Sequence, residues 1–97
     1  MKVSFDYDGT LSTKAGKLLA QQYIKKGDEL FIISARQTKE GMMGTANALG
    51  IDLDHVFAVG SNTEKIAKIK DLNIDKHFDN NPDVIKELGS IGSKFFK

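Results

Sequence analysis

Four short strand-like runs, the middle two wholly apolar, are separated by stretches with helical spacing, and this alternation limits the folds open to the chain more than any other feature. The runs are Val3-Ser4-Phe5, Leu30-Phe31-Ile32-Ile33, Val56-Phe57-Ala58-Val59 and Ile74 to Phe78. The second and third are continuously apolar, as strands buried on both faces are. Between the first two, Ser12 and Thr13 can cap a helix from about Lys14 to Lys26, with Ala15, Leu18, Leu19 and Tyr23 on one face and Gly27 as a stop. A second helix, about Thr38 to Leu49, keeps Met42, Ala46 and Leu49 in register although Gly41 and Gly44 weaken it. Ser61 to Glu64 matches a capping box opening a helix with Ile66, Ile69 and Leu72 on one side, and Asn73 is a left-handed stop. Asn81-Pro82 opens a last helix, Asp83 to Leu88, which Gly89 ends, and Lys94 to Lys97 reads as the stub of a fifth strand.

Strands alternating with helices imply an α/β domain with a parallel sheet covered on both faces. In such sheets ligands bind beyond the carboxyl ends of the strands, where strand order reverses. The polar residues follow that rule: Asp6 and Asp8 follow the first strand, Ser34 ends the second and Asp79 ends the fourth. With the first and fourth strands as neighbours, the three acids meet at one site.

Length and composition bound the reading. A chain of 97 residues suits one domain. Fourteen basic residues against 13 acidic ones leave a net charge of +1, too little for a dedicated non-specific nucleic-acid binder. The absence of cysteine excludes disulfides, thiolate catalysis and zinc-thiolate sites. Asp6 and Asp8 fall where a signal peptide needs its apolar core, and no stretch reaches transmembrane length, so a soluble cytoplasmic protein without membrane contact is expected.

The chemistry concentrates in Phe5-Asp6-Tyr7-Asp8-Gly9-Thr10-Leu11. Residues two apart in a strand share a face, so both acids crowd together unless the chain bends after Asp6, and Gly9 offers that bend. Like charges held close raise each other's pKa unless a cation lies between them, and a hard divalent ion such as Mg2+ is the natural remedy.

Asp6-Tyr7-Asp8-Gly9-Thr10, Ser34 after an apolar strand, a lysine at a helix start and Asp79 after another strand resemble, in order, the four motifs of the haloacid dehalogenase-like (HAD) phosphohydrolases. The resemblance implies a three-layer Rossmann-like fold with strand order 3-2-1-4-5 and Mg2+-dependent phosphotransfer. It implies Asp6 as the nucleophile forming an aspartyl phosphate, and Asp8 as the acid and then the base. A cation would be held by the Asp6 and Asp79 carboxylates and the Asp8 backbone carbonyl. Ser34 would bond a phosphoryl oxygen and Lys65 would balance charge, with Lys68 as second choice. Thr10, Ala35 and Arg36 complete the expected substrate-binding set, Arg36 through a fork that can grip a second phosphate or a leaving-group oxygen.

This chain departs from the family's pattern in two ways. Asn80 stands where many relatives carry a second acid, with Asp83 as a substitute carboxylate. The gaps Leu11 to Thr13 and Gln37 to Asp54 leave no room for a cap domain. A capless site is open to large substrates, and Ser34-Ala35-Arg36 faintly resembles the phosphatase half of polynucleotide kinases. Expected partners are therefore a phosphorylated small molecule or a nucleotide or nucleic-acid end, while Phe95 and Phe96 either cover the core edge or pair with another subunit in a homo-oligomer.

Plainer readings stand beside these. The acidic pair can be a solvated turn, Ser34 an ordinary strand-end serine, Asp79 an Asx-turn residue ahead of Pro82 and Lys65 a solvent-facing helix lysine. His55 and His77 read as hydrogen-bonded residues at strand starts or edges, and Met42 and Met43 as core filler. The rival function is a catalytically weak or inactive binding or scaffold module on the same fold. A receiver domain is disfavoured because Gly60 and Ser61 stand where it needs a phosphate-accepting Asp.

Overall fold

Strand β1 (Lys2–Phe5) lies at the centre of a parallel sheet, paired with β2 (Glu29–Ser34) on one side and β4 (Lys76–Asp79) on the other. Outside these run β3 (Val56–Ala58) and β5 (Gly92–Lys94), giving the order β3-β2-β1-β4-β5. The structure is a computed structural model that describes residues 1–95. Helices α1 (Lys14–Lys25) and α2 (Met42–Leu49) cover one face, and α3 (Asn62–Asp71) and α4 (Pro82–Leu88) the other. The result is a three-layer, Rossmann-like α/β/α arrangement. Among the described residues no helix is long and apolar enough to cross a membrane.

Strict alternation along the strands divides the core in two. Val3, Phe5, Leu30, Ile32, Val56 and Phe78 pack against Ala20, Tyr23, Met42 and Ala46 of α1 and α2. Phe31 and Ile33 turn the other way, onto Ile69, Val84 and Leu88. On this second face lie Ser4 of β1, Asp6 just past its end, and His77 and Asp79 of β4, all buried. A polar seam therefore runs through an otherwise apolar layer.

Several expected details shift. The buried stripe of α1 is Gly16, Ala20 and Tyr23, while Ala15 is exposed and Leu18 is 51% exposed. The helix is rotated because Gly16 packs on the preceding turn: a Cβ there would lie 1.9 Å from the Thr10 carbonyl oxygen. Helix α2 starts at Met42, not Thr38, because Gly41 stands at φ +78° and the Arg36 guanidinium holds the Glu40 carbonyl in a loop. The fourth strand starts at Lys76 because Ile74 still closes the end of α3 through its N–H to the Ile69 carbonyl. The fifth strand is Gly92–Lys94, earlier than the expected stub, of which Phe96 and Lys97 lie outside the described residues. The helix stops hold as read, with Asn73 at φ 56° and Gly27 at φ 86°.

Candidate active site

The carboxyl ends of β1, β2 and β4 open into one shallow cavity of about 450 Å3, lined by Asp6, Asp8, Ser34, Ala35, Arg36 and Lys65, and by Asp79 with the flanking asparagines Asn62, Asn80 and Asn81. Asp6 leaves β1 while its N–H still bonds the Phe78 carbonyl at 2.9 Å. The chain then makes a wide turn, with the N–H of Leu11 on the Asp6 carbonyl and that of Ser12 on the Tyr7 carbonyl. Gly9 makes the turn possible, at φ +72° and so close to Asn80 that a Cβ would lie 2.3 Å from its Nδ2. Thr13 closes the segment, donating to the Thr10 carbonyl at 2.6 Å and accepting the Gly16 N–H as the cap of α1.

That bend sends the two acids apart. Asp6 is buried and accepts a 3.0 Å bond from Lys65 Nζ. The Asp8 side chain is 60% exposed and pairs with Arg36 Nε at 3.0 Å. The bend that Gly9 allows keeps Asp6 and Asp8 from crowding, and the carboxylate that shares a partner with Asp6 is Asp79. Lys65 Nζ donates to Asp79 Oδ2 at 2.9 Å as well as to Asp6 Oδ1, and is itself only 3% exposed. The Ser61 cap on the Glu64 N–H starts α3 one turn away, which aims Lys65 at the sheet end. Lys68 instead lies 4.3 Å above the Phe57 ring and outside the cavity, so of the two candidate lysines the fold brings Lys65 to the acids.

Asp79 is fully buried and its oxygens are divided among three donors. Oδ2 accepts from Lys65 and faces His77 Nε2 at 2.9 Å, and Oδ1 accepts the Asn81 N–H at 3.0 Å. Burial alone would raise the Asp79 pKa, but the His77 hydrogen bond, the Lys65 ammonium and the Asn81 N–H hold it below the usual carboxylate value. For Asp6 the balance tips the other way: burial, with the Asp79 charge, pushes its carboxyl up against the pull of Lys65. His77 is held down by burial, which outweighs its bond to Asp79, so the ring is neutral near pH 7.

Ser34 Oγ accepts the Arg36 N–H at 3.1 Å, which leaves its own hydroxyl hydrogen free to donate into the cavity. The same loop is pinned to the end of β3 by the Val59 and Gly60 N–H groups on the Ser34 and Arg36 carbonyls. Arg36 lies 5.3 Å above the Tyr7 ring, and Tyr7 in turn donates to the Gly41 carbonyl. Thr10, expected to contact substrate, is buried outside the cavity lining with its hydroxyl 3.5 Å from Asp6 Oδ2, so it supports Asp6 instead. Asp83 is exposed on the first turn of α4 and does not line the cavity, so it does not replace the acid missing at Asn80.

Sequence reasoning missed the Ser4–His77 layer beneath Asp79 and the asparagines Asn62 and Asn81. Its signal was present: Ser4 and Asp6, like His77 and Asp79, are polar residues two apart that flank a single phenylalanine, Phe5 or Phe78. Among the described residues no group of three or more His, Asp or Glu side chains is arranged so that it could hold a metal ion, so Asp6, Asp8 and Asp79 do not form a three-carboxylate metal cluster. Two carboxylates nevertheless keep one oxygen each outside the Lys65 bridge, Asp6 Oδ2 and Asp79 Oδ1. These all-oxygen donors fit a hard divalent cation, with any third protein ligand left to a backbone carbonyl. No protein-family model, no curated protein and no solved structure matches this chain.

Proposed function

We propose that the chain is a Mg2+-dependent phosphomonoester hydrolase of the HAD-like type, working through an aspartyl phosphate on Asp6. The observation that carries the reading is the Lys65 ammonium bridging Asp6 and Asp79 in a cavity that also receives Ser34 and Arg36. Charge favours a metal. The cavity lining contains three carboxylates, Asp6, Asp8 and Asp79, against two cations, Lys65 and Arg36, for a net −1. A phosphate dianion entering such a site needs further positive charge, and a divalent cation supplies it while polarising the phosphoryl oxygens. Asp6 and Asp79 would hold it, together with the Asp8 carbonyl that the family resemblance implies.

The chain's own groups then divide the work. Ser34 and Lys65 donate to phosphoryl oxygens and fix the group in line with Asp6. The Asp6 carboxylate attacks phosphorus as the ester P–O bond breaks, and Asp8, having taken up a proton from solvent once the phosphate draws Arg36 away from it, gives that proton to the leaving oxygen. Asp8 then takes a proton from the water that attacks the aspartyl phosphate, and the P–O bond to Asp6 breaks to release phosphate. In the free protein Arg36 holds Asp8, and a bound phosphate competes for that guanidinium, freeing Asp8 to take part. The open, capless rim suits a phosphorylated small molecule or a nucleotide or nucleic-acid end.

A screen for phosphate release over nucleotides, sugar phosphates and oligonucleotide ends, with Mg2+ and with chelator, tests the reading. Turnover is expected to vanish with chelator and in Asp6→Asn. Turnover surviving both would remove Asp6 and the metal from the mechanism. A second reading, a non-catalytic binding module, draws on the protein cation already paired with each of the three acids and on Asn80 in place of a second acid. It predicts phosphate-ester binding without release in the same screen.

A further inference from the structure

One layer below the carboxylates the polar seam continues. Ser4 and His77 are register partners across β1 and β4, each two residues before an aspartate on the same face. Both are fully buried, in a layer where the neighbouring β2 presents Phe31 and Ile33. An apolar pair would fill this position without any polar group to satisfy. Instead Ser4 Oγ lies 2.6 Å from His77 Nδ1, and His77 Nε2 lies 2.9 Å from Asp79 Oδ2. One hydrogen arrangement satisfies every group. An anionic Oδ2 can only accept, so Nε2 carries the hydrogen, and the bare Nδ1 accepts from the Ser4 hydroxyl.

We propose that Ser4 and His77 are positioning residues for Asp79: His77 donates to Oδ2, and Ser4 holds the ring in the Nε2–H tautomer. Oδ1, which takes the Asn81 N–H on one lone pair, is thereby the oxygen whose other lone pair Asp79 can offer to a cation. The inference rests on the phosphatase reading, in which Asp79 is a metal ligand. The carboxylate torsion of an aspartate is soft. Here its rotation would break the bonds from His77, Lys65 and Asn81 together. Lys65 alone could not serve, because it is shared with Asp6 and its flexible stem lets it follow either acid. The rigid ring, braced from β1, is the donor that ties Asp79 to the sheet.

The test uses the full chain as wild type, His77→Leu, His77→Gln and Ser4→Ala. Mg2+ binding is read by calorimetry without substrate, hydrolysis of p-nitrophenyl phosphate against Mg2+ concentration, and the ring tautomer by imidazole 15N shifts. His77→Leu is expected to weaken Mg2+ binding by about 10- to 100-fold, with KM for the aryl phosphate unchanged at saturating Mg2+. His77→Gln, whose amide can replace the Nε2–H, is expected to recover most of that loss. Ser4→Ala is expected to turn a single Nε2–H tautomer into a mixture, with a smaller loss of Mg2+ affinity. Equal losses in the Leu and Gln variants would assign the effect to ring packing and overturn the proposal. If His77→Leu does not fold, Ser4→Ala with wild-type tautomer and wild-type Mg2+ affinity overturns it as well. Active wild type beside unaffected variants overturns the positioning role alone. Wild type that neither binds Mg2+ nor hydrolyses any phosphomonoester overturns the phosphatase reading and this inference with it.

Discussion

Lys65 Nζ lies 3.0 Å from Asp6 Oδ1, a contact between side chains 59 residues apart that are both almost wholly buried. Removing one partner of a buried pair costs far more than the pair contributes, because the survivor is left charged and desolvated. Here the survivors would be Asp6 and Asp79 together. Lys65→Met is therefore expected to lose about 3–5 kcal/mol at neutral pH, measured by urea unfolding. A loss below about 1 kcal/mol, the range of a surface pair, would show that the bridge is not buried in solution.

Asp6 and His77 set opposite pH dependences. The raised Asp6 pKa contributes stability below its ordinary value of 3.8 that is lost as pH rises through the folded value, so its ionisation at neutral pH opposes folding. Lys65 keeps Asp79 as its partner when Asp6 is neutralised, so Asp6→Asn is expected to have a Tm at or above wild type and, under the phosphatase reading, no turnover; a clearly lower Tm would contradict the first expectation. The lowered His77 pKa contributes stability present above 6.5 and lost as pH falls through the folded value. Urea midpoints followed from above to below pH 6.5 are expected to fall in wild type and to fall less in His77→Gln.

The glycines Gly16 and Gly44 make a matched pair. Both lie inside helices, but a Cβ at Gly16 would strike the Thr10 carbonyl oxygen at 1.9 Å, whereas at Gly44 nothing lies within 4 Å. Gly44→Ala is expected to stabilise by about 0.5–1 kcal/mol through helix propensity. Gly16→Ala is expected to destabilise by about 1–3 kcal/mol, as overpacking does, by pushing α1 off the turn that carries Asp8. Denaturant midpoints of both variants check the contrast, and equal signs would refute it.

The Arg36–Asp8 pair is partly solvent-exposed, so its loss is expected to change stability by less than about 1 kcal/mol. Under the phosphatase reading Arg36→Ala is expected to raise KM for phosphomonoesters more than it lowers kcat. Steady-state kinetics decide this, and an unchanged KM would remove Arg36 from substrate contact.

Much was legible in the sequence because it is local. The β-α alternation, the Ser61 cap, the Asn73 stop and the Asn81-Pro82 start each depend on a few neighbouring residues, and the parallel sheet follows from them. The meeting of Asp6, Ser34 and Asp79 was also legible, because parallel strands deliver their carboxyl ends to one edge. The rotation of α1 was not, since it depends on how closely Gly16 approaches Thr10.

By itself the sequence determined which residues carry charge, where each strand ends and therefore which side chains arrive at that edge. Only the tertiary structure decided how they pair there: Lys65 between Asp6 and Asp79, Arg36 on Asp8, and His77 beneath Asp79. Those pairings join side chains that are mostly far apart in the chain, and they depend on ångström-scale geometry and on which groups lose water. No local pattern of residues encodes either of these.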